Sequence, residues 1–211
     1  MKKTSNYFIT LEGIEGVGKS TQLSFIRNYL LKSKQPLVVT REPGGTPMAE
    51  ELRKVLLQKN KEPVTQEAEL LLLFAGRAQH IAQVIRPALA AGKWVICDRF
   101  TDATYAYQGG GRGMSLEQIA MLEKWVQQDL HPDLVLLLDA PVKTALKRIK
   151  RRRMKDRIEM EQESFFQRVR DGYLARAEQF PNRYKIIDAR QPCLKVQKQI
   201  KSILDELLPN L

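Results

Sequence analysis

The sequence predicts an α/β fold, a five-stranded parallel sheet flanked by helices, and three observations carry that expectation. Short apolar runs alternate along the chain with longer segments of helical periodicity. The runs are nearly continuous, as in strands covered on both faces, where a half-wet strand would alternate apolar and polar residues. The first run leads directly into Gly13-Ile14-Glu15-Gly16-Val17-Gly18-Lys19-Ser20, which satisfies G-x-x-x-x-G-K-[ST]. Strand, glycine loop and helix is the order in which such a segment cradles phosphate.

Each element can be justified in turn. Residues 6 to 11 form the first strand, and the apolar spacing of Leu23, Phe25, Ile26, Tyr29 and Leu30 marks a helix over 19 to 32. Pro36-Leu37-Val38-Val39-Thr40 is the second strand, and helices follow at 47 to 58 and 65 to 91. Pro87 bends or divides the latter, because it removes an amide donor and crowds the preceding turn. Strands at 94 to 98, 134 to 138 and 184 to 188 alternate with helices at 115 to 129, 141 to 153, 161 to 179 and 192 to 208. Gly and Pro clusters at 43 to 47 and 109 to 113 read as loops near the carboxyl ends of strands, where open α/β sheets bind ligands.

With 211 residues, 43% of them hydrophobic, the chain suffices for one domain over 1 to 211 with a substantial core. Met1-Lys2-Lys3 resembles the start of a secretory signal, but the apolar stretch after it ends at Glu12. No run approaches the roughly 18 apolar residues of a membrane span. Cys97 and Cys193 suit free thiols in a reducing compartment better than a disulfide framework, so a cytoplasmic address is expected. The net charge of +11 is concentrated: Lys143 to Arg157 holds nine basic residues and one acidic, a net +8. That cluster suits a flap over a polyphosphate, a groove for nucleic-acid phosphates or a solvated helix face.

Physical chemistry assigns work within the glycine loop. Gly13, Gly16 and Gly18 permit backbone angles that let successive N–H groups converge on phosphate oxygens, with the positive end of the following helix behind them. Lys19 reaches the β and γ phosphates, and Ser20 offers a hydroxyl to Mg²⁺. Ile14, Glu15, Val17 and Thr21 complete the nucleotide-binding segment. Two strands end in aspartate, Asp98 and Asp139. Asp98, followed at once by Arg99, is the better candidate on the metal side, while Asp139 before Ala140-Pro141 suits a helix cap.

Beyond the loop, Thr40-Arg41-Glu42-Pro43-Gly44-Gly45-Thr46, Asp98-Arg99-Phe100, Ala106-Tyr107-Gln108-Gly109-Gly110-Gly111-Arg112-Gly113 and Asp156-Arg157-Ile158-Glu159 occur in that order. In these segments the chain resembles the thymidylate kinase (dTMP kinase) family over nearly its whole length, in the bacterial subclass with arginines in the lid. The resemblance implies a P-loop NTPase fold of the nucleoside monophosphate kinase type with a lid at about 148 to 160. It implies transfer of the γ-phosphoryl of ATP to dTMP with Mg²⁺, and a cytoplasmic homodimer with no stable nucleic-acid or membrane partner.

It also implies roles for individual residues. Arg99 and the Arg41-Glu42-Pro43 loop hold the monophosphate, and Glu15 accepts a hydrogen bond from the 3′-hydroxyl. Phe74 stacks on thymine, Arg77 bonds a ring carbonyl, and Thr104 and Gln108 complete the base site, with Tyr105 or Tyr107 crowding the sugar's 2′ position. Arg148 packs on adenine, and Arg152, flanked by Arg151 and Arg153, is the catalytic lid arginine. Three features depart from the family pattern. Phe74 and Arg77 are three residues apart where many members have four, so Leu73 takes the usual aromatic position; Phe100 replaces Tyr or His; and the lid is unusually basic. The alternatives are a kinase for another nucleoside monophosphate or a P-loop nucleic-acid ATPase, the latter marked by salt-dependent affinity for DNA or RNA.

Overall fold

The computed structural model describes residues 6–58, 62–149 and 157–208. Five parallel strands, β1 Phe8–Glu12, β2 Leu37–Arg41, β3 Trp94–Asp98, β4 Leu134–Asp139 and β5 Tyr184–Asp188, pair in the order β2-β3-β1-β4-β5. Parallel neighbours cannot be joined by a tight turn, so each connection crosses a face of the sheet and carries helix with it. The helices are α1 Lys19–Lys32, α2 Pro47–Leu57, α3 Gln66–His80, α4 Arg86–Ala90, α5 Thr101–Thr104, α6 Leu116–Gln127, α7 Val142–Ile149, α8 Glu163–Gln179 and α9 Cys193–Leu207. Along β3 the side chains divide between two cores, Trp94 and Ile96 entering one and Val95 and Cys97 the other. Both faces of β3 are therefore covered, which is why it reads as an unbroken apolar run.

Side-chain caps set several helix starts. Thr46 accepts from the Ala49 N–H at 3.1 Å and Thr65 from the Ala68 N–H at 3.3 Å, and Ser115 opens α6 in the same way. Each such cap contributes roughly 1 kcal/mol by satisfying an N–H that has no partner inside the helix.

Two stretches differ from simple helix and loop. After α3 the chain widens into a π-helical segment, Ile81–Ile85, before α4. Pro87 supplies the reason: it has no N–H for the carbonyl one turn earlier, and its ring needs room there. The glycine cluster at 109 to 113 is a correction. It is mostly helical, because α5 continues into a second π-helical segment, Tyr105–Gly111, and the chain turns away only afterwards, with Gly113 at φ 76°. These glycines serve close packing against α8. A Cβ on Gly110 would lie 2.7 Å from the Arg168 carbonyl oxygen, and one on Gly172 would lie 3.1 Å from the Ala106 Cα. The expected continuation of α7 to residue 153 lies outside the described residues, as do Arg151, Arg152 and Arg153.

The strand order places the site. From β1 the chain crosses to β2 on one side, and after β3 it crosses to β4 on the other, which opens a crevice at the carboxyl ends of β1 and β3. The register Leu11↔Asp98 and Arg41↔Asp98 brings the glycine loop, the Arg41-Glu42 turn and Asp98-Arg99 to that edge.

The close helix contact predicts that Gly110→Ala destabilises the fold by about 1–3 kcal/mol, the usual penalty for forcing volume into a packed interface. Gly76→Ala, whose added Cβ would meet nothing nearer than 3.6 Å, is neutral or stabilising. Urea unfolding midpoints of the two variants check this; equal midpoints would contradict the packing role.

Candidate active site

β1 ends at Glu12 and the chain turns through Gly13, Gly16 and Gly18, at φ 131°, 80° and 101°, before α1 begins at Lys19. Gly13 has a second reason to lack a side chain: a Cβ there would lie 2.4 Å from the Leu138 carbonyl oxygen. Lys19 folds back over the loop, its Nζ donating to the carbonyls of Gly13 at 2.9 Å and Ile14 at 3.0 Å. Burial, with repulsion from Arg99, lowers its pKa to about 8. Such an ammonium group gains strongly from an incoming anion.

Beside the loop, a web of charge fixes Arg99, itself strained at φ 72°. Its Nη2 donates to Glu15 Oε1 at 2.7 Å and its Nη1 to the Tyr173 hydroxyl at 3.0 Å. The Tyr107 hydroxyl donates to Glu15 Oε2 at 2.6 Å, and Tyr173 donates to Glu12 Oε2 at 2.8 Å. Burial would raise the Glu15 carboxyl, but Arg99 and Lys19 outweigh it and hold it below its ordinary value. Glu12 differs. Burial, reinforced by Asp102, raises its pKa to about 8 despite bonds from Tyr173 and the Phe100 N–H.

One pocket joins this web to the far end of the crevice, with Arg53, Arg77, Arg99 and Arg157 on its walls. Arg77 is held on every side but one. Its Nε donates to Glu42 Oε2 at 2.8 Å, and its Nη2 to Thr104 Oγ1 at 2.9 Å and the Phe100 carbonyl at 3.3 Å. Its guanidinium lies between the rings of Phe74 and Phe100, at 4.7 and 5.3 Å from their centroids. Only Nη1 is buried without a hydrogen-bond partner among the described residues. Gln108 donates to Glu69 at 2.7 Å, and Arg157 also bonds Glu69 and the Leu56 carbonyl.

Glu15, Pro43, Arg77, Arg99, Thr104 and Gln108 all line this one pocket. Three other assignments need correction. Arg41 points away, pairing with Glu50 at 2.9 Å over exposed surface; strand alternation turns it opposite Glu42. The nearby pocket arginine is Arg53 of α2, bonded to the Pro43 carbonyl at 2.8 Å. Phe74 is buried with Leu70, Tyr105 and Ile119 behind Arg77, and Leu73 forms the wall at that turn. Tyr105 faces the opposite side, its hydroxyl on Glu123 at 2.6 Å, while Tyr107 faces the pocket. Arg148 reaches the Gly16 and Ala189 carbonyls beside the glycine loop.

Ser20 opens α1 with Lys19, and Asp98 ends β3 with its Oδ1 buried and without a hydrogen-bond partner among the described residues. A hydroxyl and a carboxylate oxygen are the donors that a hard cation prefers. No group of three or more His, Cys, Asp or Glu able to hold a metal occurs among the described residues, so any cation here would take further ligands from the nucleotide.

A family model described as Thymidylate kinase matches residues 11–200. The chain belongs to the thymidylate kinase family. A thymidylate kinase of Vesicomyosocius okutanii is 55% identical over 200 residues, covering 95% of this chain and 98% of that protein. One from Teredinibacter turnerae is 56% identical over 201 residues, with the same coverage of both chains. The crystal structure of the thymidylate kinase from Ehrlichia chaffeensis superposes with a TM-score of 0.77 at 32% identity, covering 94% of this chain and 98% of that one.

Within this thymidylate kinase scaffold, the residues that sequence reasoning missed are partners more than contacts. Glu69 bonds Gln108 and Arg157 and Tyr173 bonds Arg99, while Glu12 and His80 stand one bond further back, on Tyr173 and Glu42; all four are buried. His80 alone carried a signal, lying three residues after Arg77 and hence on the same helix face. Arg53 and Tyr173 reach the site only through the fold.

The Glu12 geometry has a consequence for stability. In the unfolded chain this carboxyl titrates near 4.5, whereas in the folded protein it holds its proton to about pH 8. Stability from this group is full below the lower value and is lost as pH rises through the higher, with a limiting slope of about 1.4 kcal/mol per unit. Glu12→Gln, a mimic of the protonated side chain, is expected to remove that slope when urea unfolding is followed from pH 5.5 to 8. Parallel pH profiles for the two proteins would refute it.

Proposed function

We propose that this chain transfers the γ-phosphoryl of ATP to the 5′-phosphate of dTMP, giving dTDP and ADP. The carrying observation is Arg77, clamped on the pocket wall with its Nη1 donor group buried and without a hydrogen-bond partner among the described residues. A donor that cannot accept suits a thymine ring carbonyl, and Thr104 and Gln108 stand beside it. The acceptor phosphate is already an anion, so no general base is needed. The obstacle is bringing two polyanions into line, and positioned cations remove it.

Lys19 takes the β and γ phosphates, with Gly13 to Thr21 wrapping the nucleotide and Arg148 on the adenine side. Arg99 and Arg53 hold the dTMP phosphate beside Pro43. Glu15 keeps lone pairs for the 3′-hydroxyl while bound to Arg99 and Tyr107. Tyr107 excludes a ribose 2′-hydroxyl. Ser20 and Asp98 would hold Mg²⁺, which would neutralise phosphate charge when bound. The lid, about 148 to 160, contributes Arg152 with Arg151 and Arg153 to the transition state.

The protein acts as a single kinase domain and a homodimer in the cytoplasm. No helix among the described residues is long and apolar enough to cross a membrane. The dimer is supported by Met121 and Trp125 of α6, 70% and 77% exposed, and by Leu71, 57% exposed, on α3, which packs against α6.

A coupled assay of ADP formation across dTMP, dUMP, dCMP, dGMP and AMP tests the reading, with dTMP expected to give the highest kcat/KM. Preference for AMP would overturn it. Lys19→Ala should lower kcat/KM by about three orders of magnitude or more while circular dichroism shows the fold intact.

Sedimentation equilibrium tests the assembly: Trp125→Glu is expected to convert dimer to monomer, and a monomeric parent protein would refute the interface.

A further inference from the structure

We propose that His80 is a positioning residue for base selection, acting through Glu42 on Arg77. The proposal rests on the reading of Arg77 as the donor to the thymine carbonyl.

The three side chains form a buried series. Arg77, Glu42 and His80 have side-chain exposures of 2%, 5% and 0%. Glu42 divides its oxygens between the other two, Oε2 accepting from Arg77 Nε at 2.8 Å and Oε1 standing 3.0 Å from His80 Nδ1. A carboxylate only accepts, so the Nδ1 nitrogen carries the proton, and Nε2 faces the Thr40 hydroxyl at 2.7 Å. The ring cannot turn aside, because the Gly45 backbone presses on it. A Cβ on Gly45 would lie 2.6 Å from both His80 Cδ2 and Nε2.

This arrangement gives the Arg41-to-Gly45 segment a task beyond the monophosphate. Its glutamate and glycine grip His80 and Arg77, which leaves Nη1 as the Arg77 guanidinium nitrogen with no partner among the described residues and, on the reading above, the one that meets the base. Discrimination by such a donor depends on its being unable to move. A base presenting an amino group in place of the carbonyl leaves the N–H unpaired, and a site built to bond one group rejects its absence strongly. If the Glu42 carboxylate loses its second anchor, the guanidinium gains freedom to follow a mispaired base, and rejection weakens.

Two substitutions separate positioning from packing. The His80→Asn amide nitrogen falls where Nδ1 was and retains the bond to Glu42, whereas the His80→Gln amide reaches only the Nε2 position and Thr40. His80→Gln is expected to raise KM for dTMP and to lower the dTMP-to-dCMP ratio of kcat/KM, each about tenfold, with kcat and KM for ATP nearly unchanged. His80→Asn should stay within about twofold of the parent protein on every parameter. Glu42→Gln, which replaces one of the two accepting oxygens by a donor at constant volume and so breaks one of the two anchors, should reproduce the His80→Gln pattern. Arg77→Ala/His80→Gln should be no worse than Arg77→Ala.

Equal behaviour of His80→Asn and His80→Gln overturns the proposal, as does a loss confined to kcat or to thermal stability. Should His80→Gln not fold, Glu42→Gln decides the question by the same KM and selectivity readouts. If Arg77→Ala leaves KM for dTMP unchanged, the base reading itself fails. If Arg77→Ala raises that KM while His80→Gln and Glu42→Gln do not, only the role of His80 and Glu42 fails.

Discussion

The pairing of buried charge is the constraint on which the site depends. Arg77, Arg99 and Arg157 line one pocket, and each meets a carboxylate: Arg77 with Glu42 at 2.8 Å, Arg99 with Glu15 at 2.7 Å and Arg157 with Glu69. Unpaired, such cations would cost the fold several kcal/mol each, and removal of one partner from a buried pair typically costs about 3–5 kcal/mol. The pairs have a geometric by-product. A guanidinium has five N–H donors and a carboxylate engages one or two, so others reach Thr104, Tyr173 and the Leu56 carbonyl, and each guanidinium is fixed from several sides. Charge placed for the sake of the fold is thereby already oriented for a polyanion, and little reorganisation is left for binding.

The same logic separates the two glutamates that bracket Gly13. Glu15 sits between Arg99 and Lys19 and stays ionised, whereas Glu12, sunk beneath the sheet edge with Asp102 nearby, is pushed toward its neutral form. Three residues apart in the chain, they differ because one faces cations across the crevice and the other faces the core. Lys19 completes the balance. Its burial depresses its pKa, and the loop carbonyls that it bonds are weaker partners than phosphate oxygens.

Much of this was legible before any coordinates. All five strands occur within two residues of their expected bounds; β1, β3 and β4, covered on both faces, read as nearly unbroken apolar runs, and the edge strands β2 and β5 keep enough apolar residues to be read despite their exposed positions. The phosphate loop was equally plain, because its function is performed by backbone and by consecutive residues. Where the reading erred, it erred by direction. Phe74 lies one position from the Leu73 that forms the wall, Arg41 turns to the surface at the end of β2 while Arg53 of α2 lines the pocket, and of the two tyrosines named it is Tyr107 that faces in. One residue along an α-helix turns a side chain by about 100°, and one along a strand reverses it, so an error of a single position exchanges wall for core. The π-helical segment from Tyr105 to Gly111 adds an offset that no periodicity announces.

By itself the sequence determined what is local: the alternation of strand and helix, the glycine turn that receives phosphate, and the supply of arginines near it. Tertiary structure alone decided which cation meets which carboxylate. Glu12 finds Tyr173 and Glu42 finds His80 across separations that pattern cannot bridge, because those meetings depend on sheet order and on helix packing as close as that of Gly110 on α8. Local geometry follows from torsional preference and hydrophobic spacing. The orientation of a buried charge follows from every neighbour that must be satisfied with it.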